Sequence, residues 1–564
     1  MITNLNPALI LVLGPLLIPV LKGNVRTVYT LLLPVLSFVQ LYTLPAGSHA
    51  EVEVFDLTLM TLHMDRLSFM FAVIFHIAAF IATVYSLHLR DSLQQAIGLV
   101  YAGCALGVVL AGDLVTLFIY WEAAAVSSVF LIWARRTPSS YRAGMRYLII
   151  QVISGFLLLA GIILHARAGG SIEFTRLDLN SPGGLLIFLA FGIKCAFPLL
   201  HSWLVDAYPE ATETGTVVLS AFTTKMAVYA LATAFPGTEI LIWIGLIMTA
   251  FPIFYAVIEN DLRRVLTYSM INQLGFMVVG VGIGTELALN GTAAHAFADI
   301  LFKGLLFMSM GAVLLRTGKI NGSDLGGLYK SMPYTTGFCI IGAASISAFP
   351  LFSAFVTKSM IMEAAAHEGL TLAWLVMLFA SAGVFHHAGI KIPFFAFFAH
   401  DSGIRCKEAP VSMLIAMALA AAVSMCIGIF PQTLYALLPY QTEYEPFTFT
   451  HVITQLQLLL FSALAFTWLL RQGIYPPELH SVNIDADWLY RKPGAWLARQ
   501  TLKSVASGEK GIFISIKKLS FEAAARLHRH HGPQGLLAKT WPTGSMVLWV
   551  AFLLGVYLIF YYLY

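Results

Sequence analysis

The chain is 564 residues long, 59% of them hydrophobic and only 11% charged, with a formal net charge of +4. A soluble domain carries roughly twice that share of charge, so a soluble enzyme or binding module is excluded, and no basic stripe interleaved with aromatics offers a nucleic-acid surface. The apolar residues fall in repeated runs of about 20, the length a helix needs to cross the hydrocarbon, and the short alternating segments of a membrane β-barrel are absent.

In chain order the apolar runs lie near 8–22, 25–45, 64–87, 95–112, 114–134, 146–167, 183–204 and 214–235. They continue at 239–258, 265–284, 292–315, 335–356, 372–399, 410–430, 454–471 and 544–563. Backbone groups in lipid must be satisfied within each segment, so the expected fold is an all-α integral membrane protein with about 14–16 transmembrane helices. No basic residue precedes the first run, which reads as a retained span rather than a leader. Basic residues concentrate in alternate loops (Lys22 and Arg26; Arg135, Arg136 and Arg142; Arg263 and Arg264; Lys319 and Lys330; Arg405 and Lys407), which places these loops and 472–543 inside. The opposite loops, 46–63 and 431–453, are acidic. Within 472–543 an amphipathic helix is expected over 510–530, lying on the membrane surface or a partner. His528, His530 and His531 read as a polar cluster rather than a metal site, and the five isolated cysteines give no metal or haem spacing. No cofactor is expected.

Ionisable residues inside spans are costly and mark function by default. Glu122, Lys194, Lys225, Lys303 and Lys391 all stand well inside apolar runs. Lys358 reads equally well as a functional charge and as a snorkelling or packing one. Burial disfavours a charged lysine and a nearby carboxylate restores it, so a row of such groups with neutral histidines forms a proton relay. His201, His295, Asp299, His386 and His387 are the relay candidates. Asp299 precedes Lys303 by one helical turn, which lets the two meet on one face. Asp206 and Glu210 are candidates for the entrance of a water path. Gly192-Ile193-Lys194 and Gly389-Ile390-Lys391 recur 197 residues apart, each followed by a proline, Pro198 and Pro393. Duplicated halves with broken helices at the site are a transporter plan, and a proline inside a helix breaks or kinks it.

The strings FGIKCAFPLLHSWLVDAYPEA, TKMAVYAL, ENDLRRVLTYSMINQLGFM, DLGGLYKSMP and ISAFPLFSAFVTKS, in this order, resemble the antiporter-like subunits shared by respiratory complex I and the Mrp-type multisubunit sodium/proton antiporters. The resemblance runs from about residue 60 to 430. It implies two inverted five-helix repeats, each with a broken helix carrying a lysine, Lys194 and Lys391. It makes Glu122 the partner of the first lysine, Lys225 the bridging lysine and Lys303 the lysine of the second half. Asp299 stands where the family often has a second histidine. The implied organisation is N-terminal helices over 1–90, a first repeat over 91–260, a second over 261–432, and a C-terminal helix, amphipathic segment and final transmembrane helix over 433–564. The Asp-x-Asp-Trp-x-Tyr-Arg-Lys string at 485–492 is most similar to the D-type antiporter proteins.

The expected function is proton translocation in a multisubunit Na+/H+ antiporter of the cell membrane, with other membrane subunits, protons, a monovalent cation and the lipid bilayer as partners. A proton-pumping subunit of a redox-driven complex, a proton channel of an inorganic-carbon uptake system, and a scaffold whose charges only fix packing are the alternatives.

Overall fold

The computed structural model describes residues 5–54, 57–480, 483–494 and 543–563, with a few positions between the last two stretches (496–497, 499–501, 521–522, 525–526 and 529). The triad of histidines at 528–531 and most of the expected 510–530 helix lie outside the described residues. The chain divides into two compact units, Met1–Ala486 and Asp487–Tyr564.

The first unit opens with α1 (Pro7–Leu13) and α2 (Gly23–Thr43), followed by a β-hairpin of β1 (Gly47–Val54) and β2 (Leu57–Met64). The hairpin is antiparallel, with Gly47 opposite Met64 and Val54 opposite Leu57. It replaces what the sequence presents as an acidic loop. It is tied to residues 110–112, because Gly112 N donates to the Met60 carbonyl and His63 N to that of Leu110.

Next come α3 (Arg66–Ser86), α4 (Ser92–Val109), α5 (Leu114–Trp133), α6 (Pro138–Arg167), α7 (Gly184–Lys194), α8 (Ser202–Ala207) and α9 (Glu213–Ala234). Then follow α10 (Ile240–Ile258), α11 (Leu262–Ile283), α12 (Glu286–Thr317), α13 (Pro333–Ile346) and α14 (Ser353–His367). The unit ends with α15 (Thr371–Val384, continued by π-helical turns to Phe398), α16 (Val411–Ile429), α17 (Pro431–Tyr435) and α18 (Phe449–Arg471). Asp91, Asp113 and Asp261 start α4, α5 and α11 by accepting from first-turn N–H groups, which would otherwise be unpaired.

Among the described residues thirteen helices are long and apolar enough to span a membrane. Three of the sixteen apolar runs drop out: 183–204 and 335–356, which read as single spans, are interrupted, and 8–22 is helical only over Pro7–Leu17, too short to span. The first interruption separates α7 from α8 just after Lys194. The second separates α13 from α14, and it overturns the expectation that Lys391 marks the second break. Pro393 distorts α15 into π-helical turns without ending it. Ser92–Ala234 and Ile240–Phe398 thus each hold five spans, the fourth of them broken.

Helices α9, α11 and α12 are buried almost from end to end. Gly245 and Gly275 let α10 and α11 approach so closely that a Cβ on Gly275 would stand 2.7 Å from the Gly245 carbonyl oxygen. By contrast α18 exposes Phe461, Leu464 and Trp468. In the second unit, Thr543–Leu563 forms a helix with exposed apolar side chains all round, including Leu548, Trp549 and Phe552. A helix apolar on every face belongs in lipid or against another apolar surface.

Candidate functional site: a buried row of charges

Lys225 on α9 and Asp299 on α12 are fully buried, and Lys225 Nζ lies 2.6 Å from Asp299 Oδ2. The same ammonium donates to the Ser220 carbonyl at 3.1 Å. This pair joins the two five-helix sets. It corrects the expectation that Asp299 pairs with Lys303 on its own helix: Lys303 turns to α11 and donates to Ser269 Oγ at 2.8 Å.

One turn before Asp299, His295 is also fully buried. Its Nε2 donates to the Gln273 amide oxygen at 3.0 Å, and its Nδ1 is 3.2 Å from Thr357 Oγ1. Gln273 Nε2 in turn donates to Asn272 Oδ1, which fixes the amide orientation. Beside Thr357, Lys358 is buried with no hydrogen bond to its Nζ, which sits 5.3 Å from the centre of the Phe276 ring. A bare ammonium in the interior is costly. Lys358 therefore does not snorkel: its ammonium stays in the interior against the Phe276 ring. Its position just after the second interruption was the available signal.

Lys194 is fully buried at the end of α7, donates to the Trp121 carbonyl at 2.6 Å and lies 4.4 Å from the Trp121 ring centre. Glu122 follows Trp121 in the chain. Among the described residues no ion pair of 4 Å or less joins Glu122 to Lys194, and Glu122 Oε1 has no hydrogen-bond partner. The half-buried carboxylate packs over Gly155 of α6, where a Cβ would collide with Oε1.

Lys391 is buried at the far end of the second set. It donates to the carbonyls of Ala256, Val257 and Glu259 at 3.2, 2.7 and 2.7 Å, closing the C-terminus of α10, and pairs with Glu478 at 3.0 Å. A cation at a helix C-terminus is favourable electrostatically. His387, one turn before it, is fully buried, and His386 packs its ring against Phe466 and Tyr475.

His201 does not join Lys194. Its Nε2 faces the Asp485 carboxylate at 3.0 Å. The entrance candidates lie in partly exposed ion pairs: Asp206 takes two bonds from Arg146, at 2.7 and 2.9 Å, and Glu210 faces Arg135 and Ser139. Between them the buried Arg263 donates to the carbonyls of Pro209 and Ala211, so the arginine of DLRR holds the turn after α8.

Residues 111–385 match the family described as NADH:quinone oxidoreductase/Mrp antiporter, transmembrane. The matched stretch is just under half of the chain, and over it the chain is similar to that family. The antiporter-family stretch holds Glu122, Lys194, Lys225, His295, Asp299, Lys303 and Lys358, and stops short of Lys391. Among curated relatives, hydrogenase-4 component B of Escherichia coli strain K12 is 28% identical over 66% of this chain and 63% of its own length. Two Na(+)/H(+) antiporter subunits of Alkalihalophilus pseudofirmus also match. The A-type one is 28% identical over 66% of this chain and 53% of its own length. The D-type one is 30% identical over 50% and 62%. The chain thus spans between about half and just under two-thirds of these relatives. Two solved structures share the fold. The Mrp complex from Dietzia sp. DQ12-45-1b has TM-score 0.64 at 19% identity, covering 77% of this chain and 91% of that one. The membrane-bound sulfane sulfur reductase, an archaeal respiratory membrane complex, has TM-score 0.69 at 22% identity, covering 98% and 99%.

Proposed function

We propose that this chain is a proton-translocating subunit of a multisubunit monovalent cation/proton antiporter in the cell membrane. The observation that carries the reading is the fully buried Lys225–Asp299 pair, which links the two five-helix sets in the middle of a row of ionisable groups. A buried ion pair is poor at stabilising a fold compared with apolar packing, and ionisable groups inside a membrane protein mark ion paths. Protons pass between Lys194, modulated by Glu122, and the Lys225–Asp299 pair. They continue through His295, Lys303 and Lys358 towards His387 and Lys391. Opening the central pair hands a proton to one side, and closing it takes one from the other. The first repeat comprises α4–α9 and the second α10–α15, which moves α10 (Ile240–Ile258) out of the 91–260 repeat expected from the sequence, and the other subunits of the complex supply the cation path.

A second reading, a proton pump driven by redox partners, is favoured by one observation: the fold likeness to the respiratory membrane complex runs over nearly the whole chain, that to the Mrp complex over 77%. Gentle detergent purification of the native complex with mass spectrometry separates the two. Small hydrophobic membrane subunits without redox proteins are expected. Copurifying flavin or Fe–S subunits would transfer the same charges to a redox-driven pump.

A further inference from the structure

The family match ends at residue 385, yet a segment far beyond it reaches the Lys391 end of the buried row and His201 beside the first interruption. The described residues of 474–486 follow α18 and run across the face that carries the basic loops. Glu478, its side chain mostly covered, sets Oε1 3.0 Å from Lys391 Nζ. Asn483 Nδ2 donates to Glu259 Oε2 at 3.1 Å, and the Tyr255 hydroxyl donates to the Ile484 carbonyl at 3.0 Å. The Asp485 carboxylate then receives His201 Nε2 at 3.0 Å and the Tyr268 hydroxyl at 2.7 Å. A strap serving only to cover the helices would bury apolar side chains, since carboxylates are costly to bury. This one largely covers two, with side chains 6% and 10% exposed, one aimed at Lys391 in the second set and the other at His201 beside the break of the first.

We propose that Glu478 and Asp485 are proton-exchange residues, through which the buried row takes up or releases protons at the basic face. The inference rests on the proton-translocating reading above. The two carboxyls are held in opposite senses. Burial pushes the Glu478 carboxyl up, with Lys391 pulling it back and Glu259 pushing it further. Burial also opposes ionisation of Asp485, but the hydrogen bonds and charge of His201 and the Tyr268 hydroxyl outweigh it and keep that carboxyl below its ordinary range. Arg264, 3.8 Å from Glu259 and close to Asp261 and Asp206, adds a cation at this junction, and His480 of the same segment faces Asp324 at 3.2 Å. Two acids displaced in opposite directions suit one to carrying a proton and the other to receiving it.

The test uses the assembled complex in everted membrane vesicles, with proton movement read by acridine orange fluorescence on addition of NaCl or KCl across a range of pH. E478Q and D485N are expected to lower the initial rate at least fivefold at the wild-type level of chain, and to change its pH profile. D299N is run alongside. If D299N abolishes movement while E478Q and D485N keep the wild-type rate and profile, or lose rate only in proportion to chain, the strap is an anchor and the inference fails. If D299N also leaves movement intact, the proton-translocating reading fails first. Where an amide variant does not accumulate, E478D or D485E takes its place. A shifted pH profile at normal chain level then supports the proposal, and an unshifted one overturns it.

Discussion

The two interrupted helices are made by the same four residues, Ala-Phe-Pro-Leu, at 196–199 and again at 348–351. In both, the alanine and the leucine adopt positive φ, 63° and 69° in the first and 55° and 74° in the second. In both, the phenylalanine N–H reaches back five residues, from Phe197 to the Gly192 carbonyl and from Phe349 to that of Ala344. Their charges differ. Lys194 stands two residues before the first motif and is held by the Trp121 carbonyl, while Ile346 occupies the matching place in the second. There the charge is Lys358, seven residues beyond the motif and without a hydrogen bond. The interruption is thus a backbone device independent of the lysine. The chain mounts its ammonium on either side of it, tethered in one half and bare in the other.

The largest expected effect comes from cutting the link between the halves. D299N leaves the Lys225 ammonium buried without its anion, and breaking a buried pair this way costs about 3–5 kcal/mol. The melting temperature of the purified protein in detergent falls and proton movement in vesicles is lost. Replacing both partners, as in K225M with D299L, recovers most of the stability but none of the transport, because apolar packing substitutes for an ion pair in energy and not in chemistry. A double variant that melts as low as D299N would mean that the pair is structural.

The next effect sharpens the contrast between the two lysines. K194M forfeits the bond to Trp121 and the ring contact, a loss of about 1–2 kcal/mol. K358M removes an ammonium with no hydrogen bond and leaves stability level or raised by about 1 kcal/mol. Transport falls in both. Equal changes in melting temperature would show that the two sites hold their charges alike, against the geometry.

Much of this arrangement is legible in the sequence because a membrane removes most alternatives: apolar runs give the spans, and aspartates before them give the helix starts. The break after Lys194 is readable from Pro198. The second break is mislocated because attention to Gly-Ile-Lys pairs Lys194 with Lys391, whereas the repeat that shapes the backbone is Ala-Phe-Pro-Leu, 152 residues apart. Pro393 misleads in the same way, since a proline can be absorbed by wider helical turns. Spacing along one helix offers Lys303 as the partner of Asp299. Only the packing of α9 against α12 brings Lys225 nearer, and no local pattern encodes that. The hairpin at 47–64 is hidden by its acidic residues, although Val and Leu alternate with polar residues through much of it. Glu478 and Asp485 are the least readable, lying in a stretch without periodicity and finding partners more than 80 residues away.

The smallest effect tests whether the two interruptions are one device. Alanine at positive φ is strained by roughly 1 kcal/mol, because its Cβ crowds the neighbouring carbonyl, and glycine removes that strain at the cost of a floppier unfolded chain. A196G and A348G should therefore each shift stability by less than about 1 kcal/mol. Because the two backbones match in torsion and hydrogen bonding, the shifts should share a sign and differ by less than about 0.5 kcal/mol, the margin within which independent sites add. Thermal unfolding of the two variants and their combination decides it. Opposite signs would mean that the bare ammonium of Lys358 draws on strain in the second interruption, a coupling that the first, with its lysine already satisfied, does not need.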